Sequence, residues 1–279
     1  VRATLVFSPA WQSAAGADIA EMISSWAKWL ARKGIGDDWL RLQGIYSEVD
    51  ESPETALRAA ARPQTGWAGF HYDSAIPESY VKELLMEAAR SGLQVVGIFP
   101  YMLNLFAEVA RTHPIGELRW VQGHLATLSA NQVAQMADLG IGVTTHTSAH
   151  IYKRGAEHMK KLGAARQNEI VPLRRLIDAG VPVSFGTDNV PISLFHSVWH
   201  AVARENRGGE LVAPEQAVSR DEALRCASAG GAWMCFDEHR RGAIEAGYLA
   251  DAAILSANPL TCEGIVMCGR PLLRKGKFG

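Results

Sequence analysis

An α/β fold built on parallel strands is what this sequence predicts, and three observations carry the prediction. Short apolar runs alternate with longer segments whose apolar residues recur every three or four positions, the pattern of strands alternating with amphipathic helices. A glycine stands at the joint between helix and strand at Lys33-Gly34, Ser91-Gly92, Leu139-Gly140 and Ala179-Gly180, where a residue with positive φ closes a helix most readily. Helices between strands imply crossover connections and hence parallel pairing. Six such strands fit either a doubly wound sheet or most of a (β/α)8 TIM barrel.

In chain order, Arg2–Phe7 reads as the first strand. Asp18–Lys33 reads as a helix, with Ile19, Ile23, Trp26 and Leu30 on one face and Gly34 as its stop. Leu40–Ser47 is the next strand. Ser79–Ser91 is a helix with Val81, Leu84, Leu85 and Ala88 on one face, and Leu93–Phe99 is the strand after it. The alternation then tightens: strand Leu118–Gly123, helix Ser129–Leu139, strand Ile141–Thr145, helix Asn168–Ala179, strand Val181–Gly186, then helices Ser193–Glu205 and Arg220–Trp233. After about residue 238 the character changes. Short strand-like runs at Ala250–Leu255, Gly264–Cys268 and Pro271–Lys275 are separated by Asn258-Pro259, Gly269 and Gly276. They predict a small β-subdomain over 239–279 beside a barrel portion over 1–238.

Composition narrows the function classes. With 48% hydrophobic and 20% charged residues the 279-residue chain has enough apolar material for a packed core, which a disordered chain lacks. A formal net charge of -1 provides no general attraction for nucleic acid or anionic membrane surfaces. No apolar run approaches the roughly 18 residues of a membrane helix. No positive patch followed by an apolar segment opens the chain, so no signal peptide is expected. Four cysteines, Cys226, Cys235, Cys262 and Cys268, form no CxxC pair and read as free thiols of a reducing compartment. Together these place the protein in the cytoplasm. The first residue is Val1, not Met, so a processed chain or a piece of a longer one is expected.

Polar residues stand where three consecutive predicted strands end. His124 closes Arg119–His124, His146 closes Gly142–His146, and Asp188 closes Val183–Asp188. In parallel α/β folds the C-terminal ends of the strands converge on one face, where active sites are built. Imidazole and carboxylate suit a divalent transition metal, and a carboxylate beside metal-activated water can take its proton. Asp188 could equally cap the helix at Ser193 or form a turn with Asn189 and Pro191. His71 and His150 read as loop residues within reach of a substrate, and His113, His158 and His239 as surface residues. His196 and His200 share a helix face but lack the glutamate of a zinc-protease motif. No GxSxG elbow and no glycine-rich phosphate loop occurs.

Five segments together resemble the amidohydrolase superfamily, in particular amidohydrolase family 3. Gly36–Arg41 resembles the lead-in to a middle strand, and Tyr72–Pro77 the loop before the helix that leads to the fifth strand. Trp120–His124 is similar to the sixth-strand histidine motif and Gly186–Pro191 to the eighth-strand aspartate motif. Gly247–Leu255 resembles the strand that returns the chain to a small β-sandwich. The resemblance implies a partial (β/α)8 barrel and a small C-terminal β-sandwich portion. It implies a metal-dependent hydrolase that acts on a non-peptide C–N bond of a small molecule, an amide, formamide or urea, by metal-activated water. His124 would be a metal ligand, and Asp188 a metal ligand and general base. His146 and Asn189 would face substrate, beside the loop residues His150 and His71.

The sequence also departs from the family pattern. It has no His-x-His pair for the first strand, Tyr46 stands where a bridging Lys or carboxylate is usual, with Glu48 nearby, and Ile98 stands where the fifth-strand His is usual. The implied cofactor is therefore one divalent ion rather than two, zinc before others. An open barrel of six strands exposes edges, so a homo-oligomer or a missing N-terminal segment is expected to complete it. A catalytically silent homologue serving as a binding or structural subunit is the competing reading.

Overall fold

The computed structural model describes residues 2–8, 18–49, 75–98, 100–188, 192–255, 257–261, 266–267 and 270–271. Within it the chain divides into two units, residues 1–123 with 138–141, and residues 124–137 with 142–279.

In the first unit the parallel strands are β1 (Ala3–Phe7), β3 (Leu40–Val49), β5 (Val95–Ile98) and β6 (Val121–Gly123), paired in that order. Leu5 lies opposite Leu42, Ile45 opposite Val95 and Val96 opposite Val121. Two short strands join β3 at its sides: β2 (Ile35–Gly36) antiparallel and β4 (Ala75–Ile76) parallel. The helices are α1 (Ile19–Leu30), α2 (Glu78–Arg90) and α3 (Tyr101–Ala110). Asp18 starts α1 by accepting a hydrogen bond from the Glu21 amide at 2.9 Å, the N-cap arrangement that satisfies a free helix N–H. Ile23, Leu84, Leu85, Ala88, Leu93, Val95, Leu103 and Phe106 are fully buried and form the core. Trp120 closes it, with its indole N–H on the Leu93 carbonyl at 2.9 Å and its ring edge-on to Phe106. Parallel sheets are usually covered on both faces, yet Leu5, Val6 and Phe7 of β1 are 38–49% exposed.

In the second unit β7 (Gly142–Thr145) and β8 (Val183–Phe185) pair in parallel, Val143 opposite Val183. The helices are α4 (Ala130–Leu139), whose last turn belongs to the first unit, then α5 (Gly155–Leu162), α6 (Leu173–Asp178), α7 (Leu194–Ala203), α8 (Arg220–Ala227) and α9 (Ala229–Met234). A π-helix, Ser148–Lys153, lies between β7 and α5. Val143, Ile170, Leu173, Leu176 and Ala223 form the core. Ser219 and Glu222 cap α8 reciprocally, the capping-box arrangement. Six parallel strands alternating with helices make this an α/β fold of the partial (β/α)8 type.

Most expected elements appear within a residue or two; several do not. The helix expected to run to Lys33 ends at Leu30, because Ala31 is extended. Gly34 serves the strands instead: a Cβ there would lie 1.8 Å from the Leu42 carbonyl oxygen, so only glycine lets this segment approach β3. Asn168–Ala179 is two pieces, a 3-10 segment over Ala164–Glu169 and α6. Pro172, which has no N–H, starts the second piece. Arg220–Trp233 breaks at Ser228, whose hydroxyl donates to the Leu224 carbonyl at 2.8 Å and competes with the helix ladder.

At the C-terminal end, residues 250–255 form no strand. Ile254 is 98% exposed, so this run buries no apolar face against a partner sheet. The short β9 (Val266–Met267) and β10 (Arg270–Pro271) pair antiparallel. A β-sandwich is not seen among the described residues. Cys226 is a buried free thiol, as expected, whereas Cys235 is only half-buried; Cys262 and Cys268 lie outside the described residues. No helix among the described residues is long and apolar enough to cross a membrane.

Candidate metal centre

His124, His146 and Asp188 all belong to the second unit, and the fold brings them together. His124 directly follows β6, His146 directly follows β7, and Asp188 lies three residues beyond β8. One ligating atom from each lies within 4.8 Å of the other two. The His124 and His146 rings meet edge to face with centroids 4.5 Å apart. His146 Nδ1 is 3.8 Å from an Asp188 carboxylate oxygen, beyond direct hydrogen-bond reach.

The backbone is bent to achieve this. His124 has φ +52° and Asp188 φ +49°, a left-handed conformation that non-glycine residues adopt at an energetic cost and that clusters at functional sites. His146 is buried, His124 half-buried and Asp188 exposed. Gly186 makes room for the His146 ring: a Cβ at that position would lie 2.6 Å from Cδ2 and 2.7 Å from Nε2 of His146. The Thr145 hydroxyl donates to the Leu125 carbonyl at 2.9 Å and the Leu125 amide to the Thr144 carbonyl at 3.1 Å. These bonds fasten the His124 loop to β7. The His146 carbonyl accepts from the amides of Ala149 and His150, which starts the π-helix. Burial lowers the His146 pKa below the ordinary imidazole value, and the Asp188 charge opposes the shift. A neutral imidazole offers a lone pair at neutral pH. Two imidazoles and one carboxylate, close together and with ring space left by Gly186, fit a divalent cation.

The other expected site residues divide. His150 is not in a loop but within the π-helix and is 6% exposed. Its ring stacks near-parallel to His146 at 6.5 Å, and burial pushes its pKa down to about 2. His71 and Asn189 lie outside the described residues. His200 is buried, with Nδ1 3.4 Å from the Thr147 hydroxyl, and burial brings its pKa down to about 3. Neither His196 nor His200 joins the ligand group. His158, expected at the surface, is half-buried with its ring 5.7 Å from His150. The spacing from 146 to 150 is one helical step; the 150–158 contact crosses the joint between the π-helix and α5 and carries no such signal. The space left by Gly186 has no such signal. Ile98, at the fifth-strand position, is buried and apolar.

A family model for the amidohydrolase family matches residues 5–264. The chain belongs to the amidohydrolase family. It is similar to N-substituted formamide deformylase of Arthrobacter pascens, 31% identical over 142 residues, which are 50% of this chain and 26% of that protein. Two solved structures share its fold. A metal-dependent hydrolase from Pyrococcus furiosus superposes with TM-score 0.61 at 19% identity over 88% of this chain and 50% of its own. A mutant atrazine chlorohydrolase from Arthrobacter aurescens, complexed with zinc and atraton, superposes with TM-score 0.50 at 16% identity over 90% of this chain and 52% of its own. This amidohydrolase chain thus spans about a quarter of the deformylase and about half of each solved chain.

Proposed function

We propose that this chain carries the metal centre of an enzyme that hydrolyses a non-peptide C–N bond in a small molecule, an amide, formamide or urea-like group. The observation that carries the reading is the convergence of His124, His146 and Asp188 ligand atoms within 4.8 Å. The formamide deformylase relative favours a formamide-like substrate, and the zinc of the atrazine chlorohydrolase complex favours zinc. In this reading the three residues hold one divalent ion. A bound ion of that kind supplies a Lewis acid that polarises a carbonyl and acidifies water.

The chain's own groups do the rest. His146, kept neutral by burial, presents a lone pair without a proton to displace. Asp188, exposed and next to His146, takes the proton of the attacking water on its carboxylate and delivers it to the leaving nitrogen, as a general base and then acid. His71 and Asn189, which lie outside the described residues, enter this reading from the sequence alone, as substrate contacts. His150, buried behind His146, braces the His146 ring.

Elemental analysis of the purified protein, with His124→Ala and Asp188→Asn alongside, tests this. The expected result is about one zinc per chain, lost in His124→Ala, and formamide hydrolysis reduced roughly 100-fold or more in Asp188→Asn. No metal uptake after incubation with zinc or manganese overturns the reading and leaves the silent binding or structural subunit.

A further inference from the structure

Arg204 is the most deeply buried cation among the described residues, 1% exposed. It ends α7 with φ +55°, which turns its side chain into the second unit. Its guanidinium makes three hydrogen bonds, all to backbone carbonyls: Nε to Val212 at 2.9 Å, Nη1 to Val171 at 3.0 Å and Nη2 to Ile170 at 2.8 Å. No carboxylate among the described residues pairs with it. Burial lowers its pKa to about 9, so it stays charged at neutral pH. A buried, unpaired cation is costly unless hydrogen bonds compensate. The fixed fork of a guanidinium can satisfy several converging carbonyls at once, which a lysine cannot do.

The segment it grips supports the His124 loop. The Val171 amide donates to the Ala126 carbonyl at 2.9 Å, and the Leu128 amide to the Glu169 carbonyl at 2.9 Å. Between these bonds Thr127 and Ile170 form an antiparallel bridge. Residues 126–128 therefore hang on residues 169–171, and His124 lies two residues before Ala126. Val171 is itself strained, with φ +41°. That conformation is rare for a β-branched residue and persists only where the surroundings over-determine it. The Arg204 bonds to the Ile170 and Val171 carbonyls, which flank the Val171 Cα, are such a determinant.

We infer that Arg204 is a positioning residue for the metal centre: by clamping Ile170 and Val171 it fixes the loop that aims His124 at His146 and Asp188. The inference rests on the proposed metal reading for its consequence, though not for its geometry. Histidine-selective labelling and amide exchange of the whole chain, in wild type, Arg204→Lys and Arg204→Met, test it. The His124 ring resonance should shift in both variants while that of His113 stays, and the Leu128 and Val171 amides should lose protection that Leu85 keeps. Zinc affinity should weaken roughly tenfold in Arg204→Met and less in Arg204→Lys. If Arg204→Met does not fold, Arg204→Lys carries the measurement. An unmoved His124 resonance with uniform loss of protection or a lowered melting temperature makes Arg204 merely structural and overturns the inference. If the wild type takes up no zinc, the metal reading falls, while the resonance and exchange results still decide the role of Arg204.

Discussion

In the first unit β5 ends in Ile98, buried and apolar, and β1 turns Leu5, Val6 and Phe7 partly to solvent. In the second unit β7 runs into His146 and β8 runs on to Asp188, both beside His124. The two units use the same β–α alternation, but the ligand-forming side chains collect in one. The first unit buries apolar helix faces at Ile23, Leu84, Leu85 and Phe106, and the polar side chains it buries on β3, Gln43, Ser47 and Glu48, join no ligand group among the described residues. The second places polar side chains at strand ends and accepts left-handed backbone at His124, Val171, Asp188 and Arg204 to do so. Packing and chemistry are thus divided between stretches of one chain, and the division can be tested.

The largest effect should come from cutting the first unit's core. Phe106→Ala removes a fully buried ring packed on Trp120 and should lower stability by about 3–5 kcal/mol. Metal stoichiometry of the folded fraction should not change. Denaturant unfolding with metal analysis of the folded fraction checks both, and metal loss without instability breaks the division.

Acid provides the next test. His150 and His200 keep their folded pKa values near 2 and near 3, well below the unfolded value of about 6.5. Below that value the unfolded chain takes up protons that the folded chain refuses. Their contribution is present above pH 6.5 and is lost as pH falls towards 3. Each should cost at most about 1.4 kcal/mol per pH unit in that window. In the first unit the one described histidine is His113, which is not buried. Amide exchange between pH 7 and 5 should therefore show the second unit loosening first, and His200→Gln should make the slope shallower. Equal loosening of both units counts against the division.

The smallest effect is the most local. Gly186→Ala puts a methyl group on the His146 ring and should weaken zinc binding about tenfold, about 1.4 kcal/mol, with little change in melting temperature. Zinc titration of the variant checks it, and unchanged affinity would mean that the His146 ring is not held where the metal would sit.

How much of this was legible beforehand follows from what each element depends on. The helices over 78–90 and 130–139 could be read because their apolar periodicity is local. His124 and Asp188 could be read because a strand end is a position in sequence as well as in space. The break at Ser228 could not, since the helical pattern runs through it. The strand expected over 250–255 depended on a partner sheet and is exposed instead. His146 in the ligand group depends on the turn taken after β7 and on a missing Cβ at Gly186, far away in sequence. Arg204 looked like any charged residue at the end of a helix, because its partners are carbonyls, which every residue carries.

The π-helix has a consequence for how this segment can change over generations. Arg154 reaches back five residues to the Ala149 carbonyl, at 3.0 Å, so the coil holds one residue more than an α-helical turn needs. Deleting a single codon between Ser148 and Lys153 would remove that surplus residue and let ordinary α-helical bonds close, and the helix after it would keep its facing. The change would fall on the side chains inside the coil, His150 among them, rather than on those that follow. Length can therefore vary here by one residue at little cost to α5, and an alignment that places the gap elsewhere would misplace the histidines on either side.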